Sequence, residues 1–198
     1  MDLKGKKVIL ASGSPRRREL LSGLNVDFTV DTENTFEENF SPDTPHCDVP
    51  ALMSEGKSKG FHRQLAEDEI LITSDTMVLL DGLIMGKPHS REEAVAMLKA
   101  LSGRTHEVIT AVTVRDASHM ETVTDSTMVH FRELRQEEID YYIDNFCPFD
   151  KAGGYGIQEW IGYAAITGID GSFYNVMGFP VHKVYEELIK FADYGTER

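Results

Sequence analysis

Asp75 lies in the middle of Ile70-Leu71-Ile72-Thr73-Ser74-Asp75-Thr76-Met77-Val78-Leu79-Leu80, an apolar, strand-like run broken by one polar patch. A carboxylate is costly to bury alone, so this one is expected to be paired, metal-bound or functional, unless the patch is a turn between two strands. Arg16, Arg17 and Arg18 follow Ser14-Pro15, where a helix would begin. Cations oppose the positive end of a helix dipole, so something anionic should compensate them. Helix-start amides, small residues and guanidinium forks together describe a phosphate site; a solvated basic turn is the alternative. A third cluster, Asp150-Lys151-Ala152-Gly153-Gly154-Tyr155-Gly156-Ile157-Gln158, sets glycines beside a Lys and a Gln. That suits backbone passing close to a ligand, and equally a loop that needs positive φ.

The elements that must hold these groups are legible from periodicity. Val8-Ile9-Leu10-Ala11 reads as a buried strand, followed by a helix capped by Ser14, with Pro15 in its first turn and Leu20, Leu21 and Leu24 on one face. Asp81-Gly82 is a hairpin signal before Ile84-Met85. Ser90-Arg91-Glu92-Glu93 is a capping box, leading a helix with Ala94, Met97, Leu98 and Leu101 on its apolar stripe. Residues 107–114 and 121–131 read as neighbouring strands turned by Asp116 to His119. Gln136 to Asn145 is a helix with Ile139, Tyr142 and Ile143 inward, and Ile169 to Gly178 reads as a second Gly-rich loop. Pro180 opens a final helix with Val181, Val184, Tyr185, Leu188 and Ile189 inward. The fold class is α/β with a mixed central sheet flanked by helices, and its Gly-rich and charged loops are expected to line one cleft.

Length and composition narrow the functions. The 198 residues, 41% hydrophobic and 27% charged, suit one domain over 1–198 made of two merged lobes. The 33 Asp and Glu against 20 Lys and Arg give −13, which disfavours nucleic acid and anionic membranes as partners. No stretch approaches the ~18 apolar residues of a membrane span, and Met1 to Lys7 lacks a signal-peptide core, so a soluble cytoplasmic protein is expected. Cys47 and Cys147 have neither disulfide-scaffold nor zinc spacing and are read as reduced packing residues. Rossmann and P-loop glycine patterns, a Gly-x-Ser-x-Gly elbow and a His-Glu-x-x-His helix are all missing from the sequence. The Pro-containing stretch from Asn39 to Pro50 is expected to be an ordered excursion.

Six segments in register carry a family resemblance: Ala11-Ser12-Gly13-Ser14-Pro15-Arg16-Arg17, Ser74-Asp75-Thr76, Gly86-Lys87-Pro88, Leu101-Ser102-Gly103-Arg104-Thr105-His106, Asp150 to Gln158, and Gly171 to Pro180. Together they resemble the Maf family of nucleotide pyrophosphatases. The resemblance implies an elongated α/β fold like that of the inosine triphosphatases, with a central cleft. It implies a cytoplasmic enzyme cutting nucleoside triphosphates between the α and β phosphates with a divalent cation, in a family whose members are often homodimers. By position it puts Ser12, Arg16 and Arg17 at the nucleotide, makes Asp75 the proton acceptor, and places cleft lysines at Lys57 and Lys87. An acidic residue falls on Glu37 or its neighbour Glu38, with Glu37 and Asp75 as metal ligands. Arg16, Thr76 and Gln158 match the subgroup acting on dTTP and UTP, which leaves modified pyrimidine nucleotides open as targets. Ser74 stands where the family usually has Ala, and Gly56 before Lys57 weakens the alignment there.

Residue types agree with that chemistry. Phosphoanhydride hydrolysis needs positive charge on the phosphates, a bridging cation and a group that positions water. Arg16, Arg17, Lys57, Lys87 and Lys151 can supply the charge, Asp75 with Glu37 or Glu38 the rest, and Gln158 an amide to read a pyrimidine edge. Oxygen donors without a thiolate or histidine cluster point to Mg²⁺ or Mn²⁺. The rival readings are a nucleotide-binding regulator of septum formation without essential catalysis, and a phosphatase releasing orthophosphate.

Overall fold

The structure is a computed structural model, and it describes residues 2–194. Strand β1 (Lys7–Leu10) leads into helix α1 (Pro15–Ser22) and strand β2 (Phe28–Val30). A 3₁₀ turn at His46–Asp48 opens α2 (Val49–Lys59), and β3 (Glu69–Leu80) and β4 (Leu83–Met85) follow. Next come α3 (Arg91–Leu101), β5 (Thr105–Arg115), β6 (Met120–Phe131) and α4 (Gln136–Phe146). Two 3₁₀ turns, Pro148–Asp150 and Ala152–Gly154, precede α5 (Trp160–Ala165), β7 (Ile166–Asp170), α6 (Phe173–Val176) and α7 (Val181–Asp193).

Among the described residues the strands form one sheet in the order β2-β1-β3-β5-β6-β7, with β4 paired to β3. It is mixed: β1 runs parallel to β2 and β3, with Val8 opposite both Phe28 and Ile70, whereas β3–β4 and β6–β7 are antiparallel. The polar patch at 73–76 does not interrupt β3, which is continuous over twelve residues. Ile70, Leu71 and Ile72 have no exposed surface, so this half of the strand is covered on both faces. Asp81 and Gly82 both take positive φ, 52° and 76°, the conformation of a two-residue hairpin turn.

The chain divides into two compact units. The first comprises residues 2–75, 110–125 and 178–194, the second 76–109 and 126–177. Strands β3, β5 and β6 each contribute residues to both. In the first unit Ile9, Phe61 and Leu71 form a buried cluster with Ala11 and Leu65 packed on it. In the second, α3 buries Ala94, Leu98 and Leu101, and α4 buries Ile139, Tyr142 and Ile143. An edge-to-face aromatic triangle of His106, Phe131 and Tyr155 completes it, with centroids 5.0–5.3 Å apart.

Three expectations need correction. Helix α7 buries Val184, Leu188, Phe191 and Ala192, while Tyr185 and Ile189 are exposed. At 3.6 residues per turn, 184/188/191 and 185/189 are stripes about 100° apart, and the buried one includes Glu187, whose Oε1 accepts from Lys190 at 2.6 Å. Cys47 and Cys147 are both exposed and carry free thiols; Cys147 occupies the left-handed cap of α4, at φ 46°. The Ile169–Gly178 segment is not one loop, because it holds the end of β7 and the turn α6, capped by Ser172 accepting from Asn175 N. The structure also holds a helix, α2, at 49–59, a stretch to which the sequence pattern assigns no element. The buried face of α2 is Val49, Pro50, Met53, Ser54 and Ser58, too small and polar to stand out as an apolar stripe.

Candidate active site

In the first unit the site is built on the polar patch of β3. Alternation puts Thr73 and Asp75 on one face of the strand. Both meet α2: Ser54 Oγ donates to Thr73 O at 3.2 Å and Thr73 Oγ1 donates to Ser54 O at 2.8 Å. One helical turn on, Lys57 Nζ donates to Asp75 Oδ1 at 2.6 Å, and the pair is largely withdrawn from solvent, with the side chains 21% and 16% exposed. The same ammonium lies 2.8 Å from Glu38 Oε1. Lys57 therefore sits between two carboxylates. Glu37, the neighbouring candidate, is exposed.

The loop that brings Glu38 here is tied to α2. Asn34 Nδ2 donates to Lys57 O at 2.6 Å, Thr35 N donates to Gly60 O at 2.9 Å, and Asn34 bridges to Phe61. Phe36 lies over Gly56 and Gly60. A Cβ on Gly56 would overlap its ring, and one on Gly60 would come within 2.7 Å of Phe36 Cβ.

Arg17 is pinned from two directions. Its Nε donates to Gly178 O and its Nη1 to Ser74 O, both at 2.9 Å, and Nη1 also reaches Ser12 Oγ at 3.4 Å. Ser12 is 8% exposed and its Oγ accepts from Ser14 N, while Ser14 caps α1 on Arg17 N. Burial pulls the Arg17 guanidinium down to about 10; Asp75 and Glu38 oppose that and Arg16 adds to it. Arg17 is still a cation at neutral pH. Arg16 is half-buried in the first turn of α1.

The second unit carries the remaining candidates. Thr76 is half-buried on β3 and Lys87 is exposed between β4 and α3. Lys151, 8% exposed, has its Nζ 2.7 Å from Asp150 Oδ1 and 3.2 Å from Glu159 Oε1. The Tyr142 hydroxyl donates to Glu159 Oε2 and accepts from Gly156 N at 2.9 Å. Burial first, then Glu159, raises the Tyr142 phenol far above its ordinary pKa. The loop is thus held as a Tyr142–Glu159–Lys151 chain, and within it Gln158 Oε1 is buried without a hydrogen-bond partner among the described residues. His106 Nε2 lies 2.6 Å from Tyr155 OH, and burial, with His130 adding to it, lowers the imidazole to about 4.

Among the described residues no three His, Cys, Asp or Glu side chains cluster as a metal cage. Asp75 and Glu38 are nevertheless two hard oxygen donors that already share a cation, the Lys57 ammonium. That donor set fits Mg²⁺, which takes one or two protein carboxylates and completes its shell with phosphate oxygens and water.

The family model described as Maf-like protein matches residues 7–191. The chain belongs to the Maf-like protein family. The dTTP/UTP pyrophosphatase of Parabacteroides distasonis is 47% identical over 190 residues, covering 96% of this chain and 98% of its own. Those of Bacteroides thetaiotaomicron and Phocaeicola vulgatus are 46% and 48% identical, over 93% and 96% of this chain and 95% and 98% of theirs. A HAM1 protein from Coxiella burnetii aligns over 98% of this chain and 100% of its own at 15% identity, and its TM-score of 0.45 is too low to bear on the fold.

In this Maf-like chain the residues that sequence reasoning passed over hold others in place. Ser54 and Thr73 register α2 on β3, Phe36 and Gly60 seat the Glu38 loop, and Tyr142 and Glu159 tie down the Gly-rich loop. Two signals existed: Gly56 beside Lys57, four residues before Gly60, and a Tyr on an otherwise aliphatic helix stripe.

Proposed function

We propose that the chain hydrolyses dTTP and UTP, and modified pyrimidine triphosphates of the same shape, to the nucleoside monophosphate and pyrophosphate. Lys57 bonded to Asp75 and Arg17 bonded to the neighbouring Ser74 carbonyl, in a chain 42–48% identical to proteins named dTTP/UTP pyrophosphatase, is the observation that carries this reading. The water oxygen bonds to the α-phosphorus, the bond from that phosphorus to the bridging oxygen breaks, and pyrophosphate leaves. Asp75 accepts the proton of the attacking water, and Lys57 orients the carboxylate that does so. Arg17, held rigidly by two carbonyls, offsets charge developing on the phosphates, with Arg16, Lys87 and Ser12 as further contacts. Asp75 and Glu38 would hold Mg²⁺ or Mn²⁺, which when bound supplies positive charge on the phosphate oxygens.

Gln158 supports the pyrimidine preference. Its buried Oε1 meets no donor among the described residues, and the imide N–H of thymine or uracil is one. Thr76 and Lys151 complete the substrate contacts in this reading. Cytoplasmic action fits the −13 charge and the finding that, among the described residues, no helix is long and apolar enough to cross a membrane. The family resemblance supports a homodimer.

The test is product identity. The purified protein with Mg²⁺ is incubated with dTTP, UTP, CTP, ATP, GTP and 7-methyl-GTP, and products are identified by chromatography and ³¹P NMR. Pyrophosphate with TMP or UMP is expected. Orthophosphate as product, or nucleotide binding without turnover, would overturn the reading.

A further inference from the structure

We propose that Phe36 is a positioning residue: seated over Gly56 of α2 and Gly60 at its C-terminal cap, it carries Glu38 to the Lys57–Asp75 pair. The inference rests on the pyrophosphatase reading, because it assigns Glu38 a part in that reaction.

Glu38 is 63% exposed, yet its carboxylate lies 2.8 Å from Lys57 Nζ. An ion pair with so exposed a partner contributes little. Among the described residues, regular structure between Asp31 and Pro45 is confined to the bridge from Asn34 to Phe61, and the bonds of Asn34 and Thr35 to Lys57 O and Gly60 O end three residues before Glu38. Phe36, two residues before Glu38, supplies a nearer anchor. Glycine inside a helix is unfavourable relative to alanine, and Gly56 is inside α2. Its lack of a side chain is what admits the Phe36 ring, and Gly60, one turn on, admits the Phe36 backbone, whose N would lie 2.8 Å from a Cβ there. Lys57 follows Gly56 directly, so one turn of helix presents both the seat for the loop and the ammonium that its carboxylate meets.

The experiment is a double-mutant cycle with a structural readout. Glu38→Gln, Gly56→Ala, Phe36→Ala and Phe36→Leu are compared with the wild type for kcat and KM on dTTP, together with the double variant Gly56→Ala/Glu38→Gln. Hydrogen exchange is followed over residues 33–40, and thermal unfolding checks the fold. Gly56→Ala and Phe36→Ala should each lower kcat about as much as Glu38→Gln does, roughly 10–100-fold, and raise exchange in that segment. The double variant should be no slower than Glu38→Gln alone, because a carboxylate already displaced has nothing more to lose. Phe36→Leu should recover most of the rate. Losses that multiply in the double variant, unchanged exchange in Gly56→Ala and Phe36→Ala, or a wild-type rate in Glu38→Gln would each overturn the inference while leaving the pyrophosphatase reading intact. Wild-type protein that releases no pyrophosphate would reject that reading and this inference with it.

Discussion

Ser54 and Thr73 are bonded reciprocally, each side-chain hydroxyl donating to the other residue's backbone carbonyl. Ser54 Oγ also lies 2.9 Å from Thr113 Oγ1, which is 2.9 Å from Thr122 Oγ1, so a chain of hydroxyls runs from α2 past β3 and β5 to β6. One direction lets each hydroxyl donate once: Thr122 to Thr113, Thr113 to Ser54, Ser54 to the Thr73 carbonyl. Lys57 and Asp75 lie three and two residues further along the same helix and strand, so this polar pin sets where the ammonium meets the carboxylate.

Removing one hydroxyl should therefore affect both stability and turnover. Thr73→Val keeps the shape of the side chain, loses the bond to Ser54 O, and should cost about 1–2 kcal/mol in urea unfolding. Its kcat should fall several-fold with KM little changed. A full loss of stability with an unaltered kcat would show that the pin does not set the catalytic geometry.

Asp75→Asn keeps the volume but cannot take a proton. Turnover should fall by about 10³-fold or more, with the melting temperature within a few degrees of the wild type. Near-normal pyrophosphate release would remove Asp75 from the role of proton acceptor.

Arg17→Lys keeps the charge and removes the fork that reaches Ser74 O and Gly178 O together. A lysine ammonium is a compact charge on a flexible stem and lacks the planar fork that spans both carbonyls, so kcat should drop about 10²-fold and stability by about 1–3 kcal/mol. Steady-state kinetics and urea unfolding measure the two losses separately.

His106 makes stability depend on pH. Its folded pKa of about 4 lies below the ordinary value of 6.5, so between those limits the unfolded chain binds the proton and the folded one does not. The contribution is fully present above pH 6.5 and is lost as pH falls toward 4. Between pH 7 and pH 5 the wild type should lose about 2 kcal/mol through this group. In His106→Gln that part of the slope should vanish, which urea unfolding at the two pH values would reveal.

Sequence patterning reached the elements whose apolar residues repeat cleanly. Helices α1, α3 and α4 and the β5–β6 pair fall close to where the spacing puts them, and the continuous β3 agrees with an Asp set in an apolar run. It did not reach α2, where serines and a glycine replace the apolar stripe because the helix packs against hydroxyls and an incoming ring. It also misplaced the inward face of α7, because Tyr185 and Ile189 look as apolar as Leu188 and Phe191 and only packing separates the stripes. For the site, the charged residues were visible and their partners were not. Which glutamate meets Lys57, and that Lys151 is met by Asp150 and Glu159, depends on loops whose course no local pattern encodes.

Membership of the two compact units changes after residues 75, 109, 125 and 177. No contiguous fragment of the gene therefore encodes either unit, and neither can be truncated to, shuffled or swapped as a cassette. Because β1 pairs residues 7–10 with 69–72, the first unit also waits for a distant stretch of chain before its sheet can close. Asp75 ends one segment and Thr76 begins the next, so the proposed proton acceptor and its neighbour on β3 stay joined by a single peptide bond through any rearrangement of the sequence elsewhere.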